Sequence, residues 1–83
     1  VGVIMNTGRA VAMRISQLLI ENSMTQYRLS KAVAMPESTL RSIINEKCKT
    51  VNIDTITLIC QGFGITLSQF FDSPLFSMEN LEV

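Results

Sequence analysis

The sequence predicts an all-α fold, a compact five-helix bundle. Three observations lead there. Apolar side chains recur at i, i+3 and i+4 in one segment after another, the stripe of a helix that buries one face. Residues that start or stop helices stand between the stripes: Thr25, Pro36, Asn52 and Thr66 as starts, Gly62, Gly64 and Pro74 as stops. The 83 residues are 47% apolar, enough for one small helical core. At this length a chain buries only about 60% of its surface, so one domain is the limit.

Taken in order, residues 1–6 are apolar and unpatterned: an expression remnant, a frayed arm or a partner-binding segment. Asn6 or Thr7 can cap a first helix running to about Asn22, with Val11, Ile15, Leu18 and Leu19 inward. Ser23 and Met24 break it, Met24 turning into the core. Thr25 then caps a second helix that begins at Gln26 and carries the stripe Leu29, Ala32, Val33. Ala34-Met35 is a tight corner. Pro36 opens a third helix with Leu40, Ile43 and Ile44 inward.

Asn52 is a cap for the fourth helix, and Asp54 sits in its first turn, where the helix dipole favours an acid. Its stripe is Ile53, Ile56, Ile59, Cys60 and Phe63, and Gly62 and Gly64 end it. Thr66 and Gln69 have capping-box spacing and open a fifth helix with Leu67, Phe70 and Phe71 inward. Pro74 stops it. In the tail, Phe76, Met78 and Leu81 would be a liability if left exposed on a monomer. They either pack on the first helix or meet a second subunit.

The outward face of the third helix carries the functional signal. At ~100° per residue, Ser38, Arg41, Ser42 and Asn45 fall within one arc of about 100°, opposite Leu40 and Ile43. One cation and several small hydrogen-bonding groups on a short helix suit a DNA major groove, about 12 Å wide.

The stretch T-Q-Y-R-L-S-K-A-V-A-M-P-E-S-T-L-R-S-I, beginning at Thr25, resembles the helix-turn-helix of the lambda-repressor-like, or Cro-type (XRE family), DNA-binding domains. The run I-D-T-I-T-L-I-C-Q-G-F-G-I-T-L-S-Q-F-F, from Ile53, resembles the two helices that follow in that family. Together they cover roughly Ile15 to Asp72. On this reading residues 1–8 are an N-terminal arm or expression remnant, 9–73 the helix-turn-helix DNA-binding domain, and 74–83 a C-terminal tail.

The resemblance implies a sequence-specific transcriptional regulator of prokaryotic or phage type, with a recognition helix at about 36–45 in the major groove. Glu37, Ser38, Ser42 and Asn45 correspond to positions that reach DNA, with Thr39 and Arg41 beside them. Gln26 corresponds to a glutamine that bonds a phosphate at the start of the second helix. Arg41 either reads a guanine through a bidentate contact or binds a phosphate. Glu37 departs from the family's usual neutral or basic residue; it either accepts from a cytosine amino group or serves as favourable charge at a helix start. Glu46 stands where the family usually ends its recognition helix with glycine. Either the helix runs longer, or Asn45 takes the left-handed conformation.

Net charge is zero, but its distribution is uneven. All seven bases (Arg9, Arg14, Arg28, Lys31, Arg41, Lys47, Lys49) precede residue 50, and Asp54, Asp72, Glu79 and Glu82 follow it. A basic half fits a one-sided DNA-binding surface, with Lys47 and Lys49 set for phosphates that flank the groove. Gln26 plus four of Arg28, Lys31, Arg41, Lys47 and Lys49 would give a salt slope of roughly −3 to −4 per copy. So weak a grip favours a homodimer on a palindromic double-stranded operator, with half-sites ~34 Å apart.

Enzyme chemistry finds little footing. The chain has no histidine, the commonest general base and zinc ligand. Its acids are scattered, and Gly62-Phe63-Gly64 lacks the length and lysine of a phosphate loop. No cofactor or metal is expected, and no apolar run approaches the ~20 residues that cross a bilayer. Cys48 and Cys60, in a chain without a secretory signal, read as reduced thiols of a cytoplasmic protein. The competing function is a helical protein-interaction module, antitoxin-like or an adaptor, with the same fold and little DNA binding.

Overall fold

The computed structural model describes residues 6–45, 51–78 and 81. Five α-helices follow one another: α1 (Thr7–Glu21), α2 (Gln26–Ala32), α3 (Glu37–Ile44), α4 (Ile53–Phe63) and α5 (Leu67–Phe71), then a 3-10 turn, Pro74–Phe76. Asn6 is the cap of α1, its Oδ1 accepting from Arg9 N at 2.8 Å. The Thr66–Gln69 capping box is present with both of its bonds. Asn52 occupies the cap position of α4, but its side chain makes no capping bond.

Every helix contributes to one core. Val11, Ile15, Leu18 and Leu19 come from α1, Leu29 from α2, Leu40 and Ile43 from α3, Ile56, Ile59 and Cys60 from α4, and Phe70 from α5. Burying a large aliphatic or aromatic side chain stabilises the fold by about 1.5–3 kcal/mol, so these residues are its main support. Phe70, Phe71 and Phe76 pack as an aromatic group, with ring centroids 4.8 to 6.0 Å apart.

Helices α1, α2 and α4 end in one way. A residue in the left-handed conformation (Ser23, φ 53°; Ala34, φ 53°; Gly64, φ 71°) turns the chain. The next N–H then bonds back five residues: Met24 to Leu19, Met35 to Ser30, Ile65 to Cys60, at 2.8–3.0 Å. Met24, Met35 and Ile65 each pack on the core. The hydrogen bond satisfies an orphan carbonyl, and the apolar contact holds the exit angle.

Packing overrides the sequence pattern at several places. Ala32 is exposed, while Leu29 of α2 and Val33 just after it enter the core. Ile53 (54% exposed) and Leu67 (37%) each open a helix and reach past the edge of the core. Gly62 ends nothing; it lies inside α4, where a Cβ would stand 2.5 Å from Val33 Cγ1 and 2.8 Å from Leu29 Cδ1. Glycine there lets α4 close on α2. Phe76 is half-buried beside Phe70 and Phe71, on a turn that packs against α1.

Candidate nucleic-acid interface

Helices α2 and α3 pack on each other and present a common outer surface. Thr25 sets the start of α2: its extended backbone and Oγ1, accepting from Arg28 N at 3.1 Å, fix the first turn. Gln26 is half-buried there, and Arg28 is exposed. At the far end of α2, left-handed Ala34 swings the chain into Pro36, whose carbonyl accepts from Thr39 N and Leu40 N. Pro36 has no capping side chain, so charge from Glu37 in the first turn complements the start of α3.

Leu40 and Ile43 anchor α3 in the core. Ser38, Thr39, Arg41 and Asn45 are exposed on its outer side, while Glu37 and Ser42 are half-buried. Eight residues at 1.5 Å each make a rod about 12 Å long, with its inner flank bonded to the fold and its outer flank open. Of the two expectations for the end of this helix, neither occurs: α3 stops at Ile44, and Asn45 keeps a right-handed backbone (φ −84°, ψ 9°) with its N–H bonded to Arg41 O. Lys47 and Lys49 lie outside the described residues.

Two features of this surface are absent from the sequence reading. Glu37 and Arg41 form an ion pair, Oε1 to Nη2 at 3.3 Å. Tyr27 is 57% exposed on α2, with Lys31 Nζ 5.2 Å from its ring centroid. Both pairs are i, i+4 neighbours, so the spacing alone could have found them.

The basic half is less available than its charges suggest. Arg14 turns away from α2 and α3: Nε donates to Phe70 O at 2.7 Å and Nη2 to Gln69 O at 2.8 Å. Its charge holds α5. Among the described residues, exposed cation on the α2–α3 surface is thus supplied by Arg28, Lys31 and Arg41, with Glu37 subtracting one charge.

Residues 14–74 match the family model for Cro/C1-type helix-turn-helix DNA-binding domains. Among solved structures, the prophage Lp1 protein 11 is similar at 28% identity and a TM-score of 0.77, over 95% of this chain and 100% of that one. The wild-type restriction-modification controller protein C.Esp1396I is similar at 22% identity and a TM-score of 0.73, over 78% of this chain and 82% of that one. A point variant of that controller gives 21% and 0.74, over 82% and 87%. At their level of identity the two controller structures speak to the fold alone. No curated protein matches the chain.

Proposed function

Because the chain belongs to the Cro/C1-type helix-turn-helix DNA-binding domains, and is a DNA-binding transcription regulator, we propose that it reads its operator by laying α3 in the major groove. The observation that carries this reading is the two-sided character of α3. Leu40 and Ile43 are buried while Ser38, Thr39, Arg41 and Asn45 face solvent from the same two turns. Arg41 is the base reader, its fork directed at a guanine, with Ser38, Thr39, Ser42 and Asn45 as hydrogen-bonding neighbours along the groove. Gln26 and Arg28 hold phosphates from α2, and Lys47 and Lys49 hold those beyond α3. These contacts place the duplex and carry no sequence information.

Few cations on this surface mean weak binding by one copy, so the working form is a homodimer on a palindromic site, in the cytoplasm. Exposed Leu67 and Met78, near the end of the chain and remote from α3 in sequence, support an interface built from α5 and the tail. No catalytic activity, cofactor or metal is assigned.

Selection of bound duplexes from a random pool supplies the operator, and Arg41→Ala then tests the reading. The variant should lose roughly 5- to 150-fold on the operator, the worth of one bidentate contact, and far less on random duplex. Equal losses on both would make Arg41 a phosphate contact. A wild-type chain that shows no salt-dependent retention on any duplex would be an interaction module instead.

A further inference from the structure

Resting on that reading of α3 and Arg41, we propose that Glu37 is a positioning residue which keeps Arg41 a base reader and weakens its hold on phosphate. Glu37 Oε1 lies 3.3 Å from Arg41 Nη2, and the two side chains are 38% and 54% exposed, so both remain within reach of a duplex. They sit one turn apart at one border of the outward arc. A guanidinium carries five N–H donors in a flat fork. The carboxylate engages the Nη2 end, leaving other donors of the fork for a base.

The pair has two physical consequences. Glu37 precedes Arg41, so the guanidinium is drawn toward the N-terminal turn of α3, the end that faces base edges when such a helix docks. An exposed i, i+4 pair biases that orientation only about twofold. The second consequence is larger. A carboxylate on a surface with few cations removes about one phosphate's worth of sequence-independent attraction, close to 0.9 in the salt slope. Specificity is a difference of affinities, and Glu37 acts on it mostly by lowering the non-specific side.

The experiment measures affinity against salt for operator and random duplexes, with wild type, Glu37→Gln, Arg41→Ala and the double variant. Thermal melting of each accompanies it. Glu37→Gln should bind random duplex more tightly, with a slope steeper by about 0.9. It should also lose about twofold of discrimination at the base pair read by Arg41, and lose none when Arg41 is already alanine. Relaxed discrimination that is the same with or without Arg41 would make Glu37 a base reader in its own right and overturn the proposal. A lowered melting temperature with unchanged binding would reduce Glu37 to a favourable charge at a helix start, and would equally overturn it. Should Arg41→Ala leave discrimination intact at every position, the reading of Arg41 and this proposal both fall, a pattern distinct from the other two.

Discussion

Arg14 of α1 closes the end of α5: its Nε donates to the Phe70 carbonyl at 2.7 Å, across 56 residues of sequence. Helix α5 is only five residues long and has no basic residue in its last turn. Backbone N–H groups reach two of its last carbonyls, Asp72 N to Gln69 O at 3.4 Å and Ser73 N to Phe71 O at 2.9 Å, and Arg14 completes the end. Arg14 supplies both the donors and the cation that the negative end of a helix favours. Hydrogen bonds to a charged group contribute about 1.5–3 kcal/mol, less where water competes. We expect Arg14→Ala to cost about 2 kcal/mol and to lower the melting temperature by roughly 8–16 °C. Operator affinity below the melt should be unchanged. A loss of affinity without a loss of stability would return Arg14 to the DNA-binding surface.

Gly62 is held to glycine by the closeness of α2. A methyl group at this position would press on Val33 Cγ1, part of a β-branched side chain with little freedom to move. Overpacking costs about 1–3 kcal/mol, against a gain of about 1 kcal/mol in helix propensity. Gly62→Ala should therefore lower the denaturant midpoint. A raised midpoint would mean that α2 and α4 can separate at no cost.

Ala34 and Gly64 form a natural pair of opposite tests. Both adopt the left-handed conformation, which costs an L-residue with a side chain roughly 1–2 kcal/mol. Nothing lies within 4 Å of the place a Gly64 Cβ would take, so Gly64→Ala measures backbone strain alone. We expect it to destabilise by about 1 kcal/mol, and Ala34→Gly to stabilise by about 0.5–1 kcal/mol. Equilibrium unfolding of the two variants should move in opposite directions; a shift of both in the same direction would refute the shared turn.

Burial pushes the Cys60 thiol above its ordinary pKa, and the positive charge of Arg14 acts in the opposite sense. The folded state thus keeps this proton to higher pH than the unfolded state. The associated stability is complete below the unfolded value, about 8.5, and is lost as pH rises from there through the folded value. In a Cys48→Ser background, a thiol reagent should react with Cys60 only as fast as the protein opens. Fast labelling of the folded protein at pH 8 would contradict the burial of Cys60.

Much of this protein can be read along the chain. Val11, Ile15, Leu29, Leu40, Ile59 and Phe70 are legible as core because burial on a helix follows a period of 3.6 residues, a local rule. Thr25 and Gln69 are legible as capping residues for a similar reason: a cap bonds groups two or three positions away. The exposed set on α3 follows from the same geometry once Leu40 and Ile43 are known to face in. Even the Glu37–Arg41 pair is present in i, i+4 spacing, although charge and motif taken residue by residue pass over it.

What the sequence by itself determined is therefore the number and order of the helices, their inner faces and the outward side of α3. Tertiary structure alone decided that Arg14 bonds the end of α5, that Gly62 marks a contact and not an end, and that Phe76 joins the aromatic group. It also decided that Ile53 and Leu67 stay at the surface. The physical reason is one of range. Periodicity and capping act within a turn or two of helix, whereas these outcomes depend on where a second helix, up to 56 residues away, comes to rest.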